Sequence, residues 1–158
     1  MVTEAVATER AVWEILETIE DPELPIAITD LGLIREVQID GGSVRVRMVP
    51  TFSACPAIGV IQDDIRARLL ALPGVSAVEV ELSFAEPWTI ARMSERGRAQ
   101  LVRHGVSAPA EQGEGVECPF CGSTNTTLEN PFGPTLCRAI YYCRDCKNPI
   151  ERFRPPAD

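Results

Sequence analysis

Residues 34–48 read IREVQIDGGSVRVRM, two alternating runs about a turn. Val37 and Ile39 alternate with Glu36 and Gln38, and Val44, Val46 and Met48 alternate with Arg45 and Arg47, the period-two spacing of half-buried strands. Between them Asp40-Gly41-Gly42 supplies the positive φ angles of a tight turn. A β-hairpin is predicted, with one apolar face that needs a cover. Upstream, Val12, Ile15, Leu16 and Ile19 recur at helical spacing and predict a helix from about Glu4 to Ile19, ended by Asp21-Pro-Glu-Leu-Pro25. Downstream, Pro50 to Pro56 has no period, and Ile58, Ile61, Ile65, Leu69 and Leu72 predict a second helix from near Pro56 to the stop at Pro73-Gly74. Val78, Val80, Leu82 and Phe84 alternate as a third strand, broken by Glu86-Pro87-Trp88. Ser94 and Gly105 have the chemistry of an N-cap and a C-cap for a third helix.

The order α-β-β-α-β-α predicts an α+β domain over residues 1–105, a three-stranded sheet with helices packed on it. Residues 106–116 are rich in Pro, Gly, Ser, Ala and Glu and read as a linker, leaving 117–158 as a small second unit. The 158 residues suffice for one ordinary domain and an appendage. With 45% hydrophobic and 24% charged residues, the composition is that of a soluble globular protein. No apolar run approaches the roughly 18 residues of a membrane span. Glu4 and Glu9 near the start argue against an export signal, and a cytoplasmic protein is expected. A net charge of −8, with basic residues scattered, argues against nucleic acid as a partner.

Six cysteines lie unevenly, Cys55 alone and five between 118 and 146. Cys118-Pro-Phe-Cys121 and Cys143-Arg-Asp-Cys146 are two Cys-x₂-Cys units with 21 residues between them. Each such turn presents two thiolates, and two turns close a tetrahedral shell with no place for substrate, so a structural zinc ribbon is predicted. Thr124 to Leu128 and Leu136 to Tyr142 are its expected strands. The alternatives are two disulfides, idle thiols or rubredoxin-like iron in the same four positions. Cys137 is left over and reads as a small buried side chain.

Cys55 stands at the predicted start of the second helix, where unpaired N–H groups and the helix dipole favour thiolate. A buried, inert cysteine is the competing reading. His104, the single histidine, falls at the end of the third helix, where a cation suits the dipole, so a Cys-His nucleophile finds no base. Asp30, in Thr29-Asp30-Leu31-Gly32, is a candidate ligand or base and equally a turn or cap residue.

Asp21-Pro-Glu-Leu-Pro25, Thr29-Asp-Leu-Gly32 and Pro50-Thr-Phe-Ser-Ala-Cys-Pro56 resemble the motifs of the small metal-sulfur cluster biosynthetic domains, over residues 9–90 or so. With Glu86-Pro-Trp-Thr89, Cys118-Pro-Phe-Cys-Gly-Ser123 and the run from Phe132 to Cys143, nearly the whole chain is similar to the D-component family of bacterial phenylacetyl-CoA epoxidase systems. The resemblance implies an accessory role in iron or iron–sulfur cluster assembly for a multicomponent oxygenase. It places the functional thiol at Cys55, with Asp30 and Thr51 in the accompanying motifs, and the zinc ligands at Cys118, Cys121, Cys143 and Cys146. The partners it implies are other epoxidase components, above all the iron–sulfur reductase. One thiolate cannot complete a metal shell, so a client, Asp30 or a second protomer in a homodimer would supply the rest. Ser53-Ala54-Cys55 replaces the family's more usual Ser-Gly-Cys. The tail Phe153-Arg-Pro-Pro156 lacks a cysteine that many relatives carry, and with it a pairing for Cys137.

Overall fold

The computed structural model describes residues 6–51, 55–107, 116–135 and 138–153. Helix α1 spans Glu9–Leu16, capped by Thr8, whose hydroxyl accepts from the Ala11 N–H at 3.2 Å. It is shorter than its apolar spacing predicts. Thr18 donates its hydroxyl to the Ile15 carbonyl at 2.6 Å, and Glu20 then bridges Ala27 in antiparallel fashion, so the chain leaves the helix while still burying Ile19.

The hairpin forms as predicted. Strands β1 (Ile34–Asp40) and β2 (Ser43–Met48) pair antiparallel, with Val37 opposite Val46 and Ile39 opposite Val44. Gly41 takes φ +59° in the turn. Val44, Val46 and Met48 are fully buried on the inner face, and the cover is helix α2, Ala57–Leu70, through Ile58, Ile61, Ile65 and Leu69. Helix α2 is the crossover that lets β3 (Ala77–Leu82) pair parallel to β2, as a parallel connection requires. The third strand stops at Leu82, short of Phe84. Its partner β2 runs out at Met48, the Ser83 N–H makes a last bond to the Met48 carbonyl at 2.8 Å, and Phe84 is left 63% exposed.

After a 3₁₀ turn at Ile90–Arg92, helix α3 spans Glu95–Arg103 with Ser94 as its N-cap and Gly105 beyond it at φ +73°. The next residues depart from the linker reading. Val106 and Ser107 form a short strand β4 that pairs parallel with β7 (Pro149–Phe153), in a second sheet of order β4-β7-β6-β5. Strand β5 is Thr126–Asn130, beginning two residues later than expected, and β6 is Arg138–Cys143; Leu136, the expected start of the latter, lies outside the described residues. Val116, at the other end of the expected linker, is buried, and residues 108–115 between lie outside those described, as does Cys137.

The two sheets share apolar contacts. Val106 and Phe153 belong to the same buried cluster as Val12, Leu31, Met48 and Ile65, while Val116, Cys118, Cys143 and Ile150 form a smaller one. Among the described residues no helix is long and apolar enough to cross a membrane.

Candidate metal and thiol sites

The two Cys-x₂-Cys turns are built alike. In the first, the Gly122 N–H returns to the Cys118 carbonyl at 2.8 Å and the Cys118 N–H reaches the Ser123 carbonyl at 2.8 Å. In the second, the Lys147 N–H returns to the Cys143 carbonyl at 3.0 Å and the Cys143 N–H reaches the Asn148 carbonyl at 3.0 Å. Each turn needs a left-handed residue just after its second cysteine. Gly122 takes φ +76° freely and Lys147 takes φ +64° at a cost. Asp145 ties the turns together, accepting from the Ser123 hydroxyl and, at 2.8 Å, from the Asn125 side chain. Those bonds hold its carboxyl below the ordinary aspartate range, with Ser123 the larger cause.

The four sulfurs lie within 4.8 Å of one another, with Cys118 Sγ 3.6 Å from Cys146 Sγ and Cys121 Sγ 3.7 Å from Cys143 Sγ. A disulfide needs about 2.05 Å, so neither pair is bonded. A tetrahedron with metal–sulfur bonds of ~2.3 Å has edges of ~3.8 Å, close to both separations. The donor set therefore fits a soft, four-coordinate metal ion with a closed shell. Within it the Asn148 side chain donates to Cys146 Sγ at 3.4 Å and draws that thiol down to about 6. At Cys121 a lowering backbone hydrogen bond from Ser123 is outweighed by burial and the neighbouring thiols, which push it up to about 12. Burial also raises Cys118. A bound cation displaces protons from such thiols. The cysteine spacing names the four ligands but not Asp145 and Asn148. Their position inside and just after the second Cys-x₂-Cys unit is the only signal the sequence carries for them.

Cys55 lies immediately before Pro56, the N-cap of α2, and its carbonyl accepts from the Ile58 N–H at 3.3 Å. The residue is half-buried and packs against the main core. Pro56 supplies no side-chain cap to α2, and the first turn of the helix carries no acidic residue. Thr51 is half-buried on the same β2–α2 connection; Ser53 and Ala54 lie outside the described residues.

Asp30 is engaged elsewhere. Only 7% exposed, its carboxylate accepts from the Ser94 hydroxyl at 2.7 Å and from Arg96 Nε at 2.8 Å, and its carbonyl accepts from the Ser94 N–H at 2.9 Å. It anchors the start of α3 and holds the Arg96 guanidinium above its ordinary range. His104 is the exposed C-cap of that helix, with its N–H shared between the Gln100 and Leu101 carbonyls.

Two family models match the chain: an iron-sulfur cluster assembly protein over residues 9–82 and a PaaD zinc beta ribbon domain over residues 103–154. An Escherichia coli K12 protein that carries the name of the D component of 1,2-phenylacetyl-CoA epoxidase is 36% identical over 150 residues, 90% of each chain. An Fe-S protein maturation auxiliary factor of Porphyromonas gingivalis is 36% identical over 64% of this chain and 97% of its own length. Among solved structures, a DUF59 domain from Bacillus anthracis superposes with TM-score 0.57 at 33% identity, covering 59% of this chain and 90% of that one. The chain belongs to the family of the phenylacetyl-CoA epoxidase D component, pairing an iron–sulfur cluster assembly domain with a zinc β ribbon.

Proposed function

We propose that this member of the family is a maturation factor that receives, holds or hands over iron or an iron–sulfur unit for the phenylacetyl-CoA epoxidase, with Cys55 as the transient ligand. The observation that carries the reading is the placing of Cys55: half-buried, one residue ahead of Pro56, the N-cap of α2, at a helix start whose dipole and N–H groups favour an anionic sulfur. Relatives of the first domain named as Fe-S maturation auxiliary factors or as iron-sulfur cluster carriers support the class of cargo.

A single thiolate holds only one position of a metal shell. Asp30 would have to release Ser94 and Arg96 to become a second ligand, which favours Thr51, a client or a second protomer as the source of the others. The iron–sulfur reductase of the epoxidase is the client this reading names. In it, residues 1–105 carry the exchangeable sulfur and 117–158 form the ribbon. Zinc is the ion we assign to Cys118, Cys121, Cys143 and Cys146. Four thiolates leave no open position, so this ion supplies folding energy alone.

Cys55→Ser is expected to leave the fold intact and to lower cluster content of the reductase in cells severalfold. Full cluster content in that variant would refute the role of the thiol. A second reading, a component that only holds the complex together, is favoured by apolar exposure on the ribbon, where Phe120 is 55% and Phe132 59% exposed. Loss of co-purification in the Phe120→Ser, Phe132→Ser double variant, with cluster content insensitive to Cys55, would select it.

A further inference from the structure

Three chains of contact run from the second sheet to one loop of the first domain, residues 20–33. Arg138 on β6 is 5% exposed and joins Glu151 of its own sheet to Glu23 of the loop, the latter at 3.6 Å. Phe153 on β7 packs on Trp88, ring centroids 5.4 Å apart, and the Trp88 indole N–H donates to the Leu31 carbonyl at 2.8 Å. Strand β4, paired with β7, continues directly from α3, whose first turn is anchored on Asp30. The loop has little regular structure of its own. Its backbone is held by a bridge at Glu20–Ala27 and by turns such as Leu33 N–H to Ile28 carbonyl, while Leu24, Ile26, Ile28, Leu31 and Leu33 are buried in the main core. Glu151 and the Thr135 hydroxyl fix the Arg138 guanidinium within the ribbon, so the remaining nitrogen offers the Glu23 carboxylate a buried cation at a position the ribbon sets.

We infer that the ribbon sheet, fixed by the metal ion at its four cysteines, positions the loop of residues 20–33 through Arg138 and the Phe153–Trp88–Leu31 chain. Arg138, Phe153 and Trp88 are positioning residues. The order of the loop, and with it the setting of Asp30, then depends on occupancy of a metal centre in a different sheet. The inference rests on the ribbon being metal-held and is independent of any role for Cys55.

Hydrogen exchange on the full chain, zinc-loaded and then treated with a chelator, tests it. Amides of residues 20–33 are expected to exchange at least tenfold faster after zinc removal and to recover when zinc is returned, while the β2 amides of Ser43–Met48 stay protected. Zinc-bound Phe153→Leu and Glu23→Gln should reproduce the faster loop exchange with zinc content unchanged. Cys55→Ser should respond to zinc as the natural chain does, which separates this outcome from failure of the thiol reading. Loop exchange that is unaltered in chelated protein whose Tyr141 and Cys143 amides have lost protection would overturn the inference. So would unaltered exchange in both zinc-bound variants.

Discussion

Gly97 opens the first turn of α3 against the backbone of Asp30, where a β-carbon would stand 2.7 Å from the Asp30 carbonyl oxygen. At Gly32 the limit is doubled: φ is +71° and a β-carbon would meet the Arg92 carbonyl at 2.4 Å. Backbone atoms cannot yield as a flexible side chain does, so Gly97→Ala should cost about 1–3 kcal/mol, read as a lowered denaturant midpoint with unchanged slope. An unchanged midpoint would mean that α3 can slide away from Asp30 freely. The sequence marks Asp30 as a turn or cap residue, and that part is right. It cannot show that Asp30 holds Ser94, the N-cap of α3 more than sixty residues on, because side-chain partners across such a separation leave no local pattern. Cys55 was legible for the opposite reason. Its neighbour Pro56 and the apolar spacing that follows fix the helix start within a few residues.

At the scale of elements, periodicity was the readable signal and it served wherever one face of an element is buried. The hairpin, α2 and β3 follow their apolar spacing because a single sheet face and one helix stripe make most of the core. Ile65 is wholly buried in that stripe, and Ile65→Ala should cost about 2–5 kcal/mol in chemical denaturation. The outer face of the same sheet behaves differently. Arg45 and Glu79, neighbours on β2 and β3, pair at 3.1 Å with side chains 51% and 63% exposed, so Arg45→Ala should cost less than about 1 kcal/mol. Equal losses from the two variants would contradict the assignment of the inner and outer faces. Strands β4 and β7 escaped sequence reading. Val106-Ser107 is too short for any period, and Pro149-Ile-Glu-Arg-Phe153 buries only Ile150 and Phe153, three apart, a spacing as helical as it is extended. The pairing of β7 with β6 follows from the reversal at Cys143–Cys146, and that turn is legible only as a metal site.

Taken whole, the molecule holds sulfur in two settings. Four cysteines form a closed cage, cross-braced by Asp145 and Asn148, in a ribbon too small to bury much apolar surface: its own cluster contains Val116, Ile150 and two of the ligands. Such a unit draws its folding energy from the ion it binds. Cys55 sits instead at the rim of the main core, immediately before the N-cap of α2. The composition of the chain could suggest metal, but only the separation of its cysteines into a cluster and a solitary residue distinguishes a fixed ion from the cargo we propose for Cys55. Metal analysis of protein purified without oxygen, the natural chain beside Cys55→Ser, tests that distinction most directly. One tightly held zinc per chain is expected in both, with labile iron in the natural chain alone. Equal iron in the two proteins, or zinc that leaves when Cys55 is replaced, would contradict it.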